Sequence, residues 1–183
     1  MSNIWVVSDT HFNHVNILRF KDSKTGDLIR PKFDDVKNMN EVMIQRWNEV
    51  VRPGDKVYHL GDVFFGDKEQ FKVMWPRLMG SKRLVVGNHD DIKFLSSGAF
   101  FQKVHSCRLF KDQRILMSHR PLHESGLWVG GAPGEGTSLM NVHGHIHQNP
   151  SPKGPYYNVS VENTEYRPIH LDELAKIAKR MLL

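Results

Sequence analysis

Short apolar runs recur along the chain, and they share a way of ending. Residues 4–7 pass into Ser8-Asp9-Thr10-His11, residues 57–60 into Gly61-Asp62, and residues 84–86 into Gly87-Asn88-His89-Asp90. Residues 115–117 pass into Ser118-His119-Arg120-Pro121, and residues 139–142 into His143-Gly144-His145-Ile146-His147. Apolar or β-branched runs of this length, closed by turn formers, predict buried strands. In layered α/β proteins the functional site forms outside the carboxyl ends of such strands. Five strand ends carrying Asp, Asn and His are therefore expected to converge.

Helical periodicity fills the gaps. Val36, Met39, Met43, Trp47 and Val50 fall three and four apart, which predicts an amphipathic helix over 34–50 with Asp34 and Asp35 at its positive end. Residues 67–79 predict a weaker helix that Pro76 ends early or kinks. Near the carboxyl terminus Leu171, Leu174, Ile177, Ala178 and Met181 share a face, with acids early and bases late, as suits a core-packing helix. Residues 104–110 and 113–118 read as a hairpin and 156–161 as a further strand. Segment 21–31 is a polar excursion. Residues 124–136 contain five Gly and one Pro, which suits a mobile lid and a passive surface loop equally.

Composition narrows the class. The chain has 183 residues, 39% hydrophobic and 25% charged, enough for one sizeable core; a single domain over 1–183 is expected. No apolar run approaches a membrane span, and the first residues lack the basic region of a secretory leader. The one cysteine, Cys107, excludes an internal disulfide and a cysteine-based metal site and fits a cytoplasmic setting. A net charge of +5 favours an anionic partner, but the basic residues are scattered, Lys82-Arg83 being the nearest to a cluster. No obligate protein partner is evident, and no membrane partner.

The eleven histidines change the picture more. Asp9 and His11 stand two apart, as do His145 and His147, so on an extended backbone each pair would aim two donors into one cavity. Asp62, Asn88 and His119 add oxygen and nitrogen donors. Such a sulfur-free set suits Mn, Fe, Zn, Co or Ni. Seven donors exceed one tetrahedral ion, and two ions sharing Asp62 fit them better.

In order, Asp9-x-His11, Gly61-Asp62, Gly87-Asn88-His89-Asp90, His119 and Gly144-His145-x-His147 resemble the motif series of the calcineurin-like metallophosphoesterase superfamily. The resemblance implies an α/β fold, a four-layer αββα sandwich of two mixed β-sheets flanked by helices. It implies one divalent transition-metal ion on Asp9, His11, Asp62 and His147, and a second on Asp62, Asn88, His119 and His145, with manganese the favoured metal. It also implies metal-hydroxide attack on phosphorus, with His89 as general acid toward the leaving oxygen. The phosphoprotein-phosphatase branch continues Gly-Asp with a second Asp and an Arg. Here Val63-Phe64-Phe65-Gly66 follows, which argues against that role. The expected activity is a phosphodiesterase acting on a nucleotide or nucleic-acid-like phosphoester, with a phosphomonoesterase as the near alternative. A non-catalytic metal-binding scaffold is the rival from another class. Asn13, His14, Arg120 and His123 are candidates for substrate contact, with bland alternatives: His14 and Asn13 as caps of a helix at 15–18, Arg120 as a partner of Asp90. Asp90 itself would orient His89 or serve the fold's own hydrogen bonding, while His59, His105 and His170 read as ordinary packed histidines.

Overall fold

The computed structural model describes residues 2–97, 100–131 and 133–183. Two mixed sheets lie face to face. The first has the order β11-β1-β2-β3-β4, from Ile169–His170, Ile4–Val7, Lys56–His59, Ser81–Val85 and Lys103–His105. Its four longer strands run parallel, and β11 is antiparallel to β1. The second has the order β10-β9-β6-β5, from Tyr156–Asn158, Met140–His143, Ile115–Ser118 and Cys107–Phe110, with only β5 antiparallel to its neighbour. A ribbon of β7 (Trp128–Val129) and β8 (Thr137–Ser138) stands apart. This is the α/β sandwich of two mixed sheets with flanking helices that the motif series implied.

The helices follow from their caps and faces. Asp35 accepts a hydrogen bond from the Asn38 N–H and starts α1 at Val36–Val50, whose Met39, Met43, Ile44 and Trp47 are buried. Asp67 caps α2 (Lys68–Met74) in the same way, and the chain tightens into a 3-10 turn at Trp75–Arg77, where Pro76 lacks the donor to continue the helix. A short α3 (Ile92–Leu95) and the C-terminal α4 (Leu171–Met181) complete the set; His170 caps α4 by accepting from the Asp172 N–H. Among the described residues no helix is long and apolar enough to cross a membrane.

Alternation along β1 and β2 divides the core. Val6 and Tyr58 face the second sheet, meeting Ile115, Met117, Met140 and Val142, with Leu174 and Ala178 of α4 closing the layer. Val7, Val57 and Leu84 face the other way, onto α1 and α2. Burying a large apolar side chain contributes about 1.5–3 kcal/mol, so these two clusters dominate the stability. The buried indoles of Trp47 and Trp75 donate to Met79 O and Phe100 O, at 2.9 and 3.0 Å. Over the outer face of the second sheet the cover is thin: Leu109 and Leu116 pack with Leu127, Leu139 and Tyr156 beneath the ribbon.

Three expectations change. Residues 104–110 are not one strand: β4 ends at His105, β5 begins at Cys107, and the two belong to different sheets. The strand at 156–161 stops at Asn158, because Ser160 bridges across to Ser8 and residues 161–163 form a 3-10 turn. The Gly-rich 124–136 segment is a 3-10 turn at Glu124–Gly126 followed by strand β7 of the ribbon; its Ala132 lies outside the described residues.

Candidate metal centre

The carboxyl ends of β1, β2 and β3 meet those of β6 and β9, and the chain turns sharply as it leaves them. Asp9, His11, Asn13, Asp62, His145 and His147 all have φ between 48° and 71°. The expected pairing of i and i+2 donors on extended backbone is therefore corrected. Each pair converges because both its members sit in the left-handed region, beyond the strand. Such residues cost about 1–3 kcal/mol each and persist where the surroundings over-determine them.

Those surroundings are identifiable. Arg30 is fully buried; its guanidinium donates to Asp9 O at 2.6 Å and Thr10 O at 2.9 Å, clamping the first turn. The same group meets Glu162 Oε1 at 2.7 Å. Asp90 accepts from the N–H groups of Asp62, Val63 and Gly87, so it fastens the second turn to the third. Of its two expected roles the fold-level one is realised, and its oxygens are taken by backbone rather than by Arg120. At Gly61 (φ +94°) and Gly144 there is no room for a side chain. A Cβ at Gly61 would run into the Gly87 backbone, and one at Gly144 into Ser8 Oγ and Asp9 Oδ2.

Two groups of donors result. Asp9, His11 and His147 form one, and Asp62, His119 and His145 the other; within each, the donor atoms lie within 4.8 Å of one another. Asp62 faces both sides: His11 Nε2 is 3.6 Å from its Oδ2, and His119 Nε2 is 3.5 Å from its Oδ1. Asn88 Oδ1 lies 2.9 Å from His119 Nε2. All seven expected ligands thus surround one region, with Asp62 in the middle.

The donor chemistry fits a pair of cations. Asp9 Oδ1 and His11 Nε2 are buried with no hydrogen-bond partner among the described residues, and at 3.9 Å they are too far apart to bond each other. His119 Nδ1 lies 2.7 Å from the carbonyl of Leu60, which can only accept, so that nitrogen carries the proton. Its Nε2 then turns a lone pair toward the lone pairs of Asn88 Oδ1, an arrangement that a cation between them reconciles. Burial, with Arg30's charge second, pulls His11 well below the ordinary histidine range, and burial, with His119 second, brings His145 down to about 4. Both are therefore neutral imidazoles, the form that binds metal. Burial pushes the Asp9 carboxyl up, so its charge lacks sufficient compensation from the protein alone. Asp9 Oδ2 is held by the His145 N–H at 2.9 Å and Ser160 Oγ at 3.0 Å, which leaves Oδ1 for an ion.

Glu162 and Arg30 were missed by the sequence reading. His147 Nδ1 donates to Glu162 Oε1 at 3.0 Å, which fixes the tautomer with Nε2 free. Burial opposes the charge on His147, but that hydrogen bond and the carboxylate's field leave its pKa raised. Nothing in Val161-Glu162-Asn163, or in a polar loop containing Arg30, marks these residues as buried.

The expected substrate contacts divide. His14 stacks on Phe65 with ring centroids 4.1 Å apart, and its Nδ1 is 3.3 Å from His11 Nδ1; burial, with Arg30's charge second, lowers it to about 4. Asn13 pairs with Asn40, accepting from its Nδ2 at 2.6 Å, and leaves its own Nδ2 buried without a partner among the described residues. Neither side chain caps the 3-10 turn at Val15–Arg19. The exposed Asn88 and His89 stand at the mouth, with the His89 ring 5.2 Å from Phe65. Arg120 is exposed and makes no ion pair among the described residues. His123 is occupied in its own turn, with Nδ1 2.8 Å from Ser125 Oγ, and belongs to neither donor group.

The calcineurin-like phosphoesterase superfamily domain matches residues 2–159. An uncharacterized protein of Methanocaldococcus jannaschii is 32% identical over 189 residues, spanning 98% of this chain and 93% of its own length. The gene 66 protein of Mycobacterium phage L5 is 36% identical over 93 residues, 49% of this chain and 41% of that protein. A solved structure of a protein of unknown function from Aquifex aeolicus has a TM-score of 0.69 and 28% identity, covering 97% of this chain and all of that one.

Proposed function

From the premise that the chain belongs to the calcineurin-like phosphoesterase superfamily, we propose that it is a phosphodiesterase acting on a nucleotide or nucleic-acid-like phosphoester. The observation that carries the reading is Asp62, whose two oxygens each face a histidine of a different donor group, at 3.6 and 3.5 Å. Asp9, His11 and His147 with one oxygen of Asp62 would hold one divalent ion; Asn88, His119 and His145 with the other oxygen would hold a second, manganese being the favoured metal. When bound, such a pair supplies charge for an anionic phosphoester and lowers the pKa of water toward neutrality.

The chain's own residues do the rest. Glu162 keeps the proton of His147 on Nδ1, and Leu60 O keeps that of His119 on Nδ1. Arg30 and Asp90 hold the turns that present Asp9 and Asp62. His89, tethered through its N–H to Asp62 Oδ1 at 3.1 Å while its ring stays exposed, is the proton donor to the departing oxygen. The exposed mouth at Asn88 and His89 leaves room for substituents on both sides of phosphorus, which favours a diester. One continuous domain over 1–183 and a cytoplasmic setting complete the proposal.

The test is a screen of metal-loaded protein against mono-, di- and cyclic phosphoesters beside a metal-stripped control. Hydrolysis of diesters that stripping abolishes and manganese restores supports the reading. Preference for monoesters makes the protein a phosphatase, and inertness toward all of them with two ions bound makes it a scaffold.

A further inference from the structure

Scattered bases become a site near the β4 edge of the first sheet. Across its inner face β1 to β4 are in register as Val6, Tyr58, Arg83 and Lys103. Val6 and Tyr58 belong to the apolar layer between the sheets, so the row turns from apolar to cationic as it approaches the β4 edge. Lys56, the first residue of β2, lies one step back along the same face. Arg108 joins from β5, paired with the inward-facing Met117. The four cations, with Ile4, Tyr58 and His105, line a cavity of about 250 Å³.

No carboxylate lines this cavity, and none of the four cations forms an ion pair among the described residues. Arg83 is not a fully solvated side chain. It is half-buried, its guanidinium lies over the Tyr58 ring at 5.7 Å, and it donates to Ser81 O at 3.1 Å. Arg108 rests over Phe110 at 5.2 Å. Two guanidinium groups thus lie over aromatic faces, and His105 Nε2 is buried with no partner among the described residues. Burial, then Arg108, Lys103 and Arg83, lower the His105 pKa, and no acid offsets them. Four cations without an acidic neighbour around one small concavity give it a positive field that favours an anion.

We propose that this cavity is a second ligand site, separate from the metal centre, that takes a compact polyphosphate anion such as pyrophosphate or the phosphate chain of a nucleotide. The charge matches: a diphosphate or triphosphate brings three to four negative charges, roughly the number of cations present. The concave shape suits a short anion better than an extended strand, which needs a track of bases. The cavity takes the first residues of β1 and β2 and the middle of β3, whereas the metal ligands follow the carboxyl ends of these strands. Its occupancy is therefore independent of the hydrolase reading.

Calorimetric titration of metal-loaded protein with methylenediphosphonate, which resists hydrolysis, provides the test. Wild type is compared with Arg83→Ala/Lys103→Ala and with Asp62→Asn. Two binding events are expected in wild type. The basic-cavity variant should lose one, by about 10-fold or more for each cation removed, and keep its metal content. Asp62→Asn should lose only the other. Lys103→Ala alone, at an exposed edge position, guards against misfolding of the double variant and should show the smaller loss. A non-hydrolysable nucleoside triphosphate that binds as well as the diphosphonate identifies the phosphate chain as the ligand; much tighter binding adds a nucleoside contact. Unchanged titration of both basic variants, loss of all binding in Asp62→Asn, or binding of single-stranded oligonucleotide but neither small anion overturns the proposal.

Discussion

Glu162→Gln isolates one charge in the network behind the metal centre. Burial opposes ionisation of Glu162, but Arg30's guanidinium, followed by the His147 hydrogen bond, overrides it and holds the carboxyl at about 2, against an ordinary 4.5. A depression of that size corresponds to roughly 3 kcal/mol of folding stability. The contribution is complete above the unfolded value of 4.5 and is lost as pH falls through about 2. For His147 the sign is opposite: its pKa is raised, so its share is complete below 6.5 and is lost as pH rises through the folded value. Glutamine preserves the shape and one acceptor while leaving Arg30 buried without a counter-charge. In chelator, the variant should therefore be less stable by about 3 kcal/mol, with the gap widest between 4.5 and 6.5. Urea unfolding followed by tryptophan emission measures this, since Trp47 and Trp75 are buried. A gap of equal size near pH 2 and near pH 6 would mean that the amide merely packs badly, refuting the electrostatic reasoning. A second readout is metal affinity, which should fall about 10–100-fold at the Asp9 group alone.

Asp62→Asn should weaken both ion sites, whereas His11→Ala should weaken mainly the one with Asp9; elemental analysis approaching two ions per wild-type chain is expected, and full activity with one ion would defeat the paired arrangement. His89→Ala should retain fold and metal while turnover drops about 10²–10⁴-fold, less on nitrophenyl esters whose leaving group departs unprotonated. Equal losses on nitrophenyl and alkyl esters would assign His89 to charge stabilisation instead. Gly144→Ala should lower the melting temperature and deplete the Asp9 site, because its methyl collides with Asp9 Oδ2; overpacking of this kind costs about 1–3 kcal/mol. Normal metal content in that variant would show the turn to be more yielding than its contacts indicate.

Much of this was legible in the chain because local and global signals agree. The run at 4–7 is β1 to the residue, and Asp35 begins α1 where the periodicity begins. The convergence of the seven candidate donors was legible because each follows a strand. What escaped depended on contacts between distant residues. Arg30 reads as part of a polar loop, yet its partners are the backbone at Asp9 and the side chain of Glu162, 132 residues away. The split at 105–107 escaped because strand-prone residues flank Ser106 on both sides, and one serine is too little to mark the point where the chain changes sheets. The basic cavity was invisible because Lys56, Arg83, Lys103 and Arg108 are neighbours only through strand register. The left-handed turns escaped because neither Asp9 nor His11 is the glycine that usually marks such backbone.

The holders of Asp9 come from far along the chain: His145 lies 136 residues later and Ser160 lies 151. During synthesis Asp9 and His11 leave the ribosome long before these partners exist. At about 5–20 residues per second that interval is roughly 7–30 s. A chain stalled or clipped before residue 145 keeps the strands of the first sheet up to β4 yet lacks His145 and His147, so neither donor group is complete. Both donor groups are thus complete only once the chain has been made through His147, and a shorter fragment carries them unfinished.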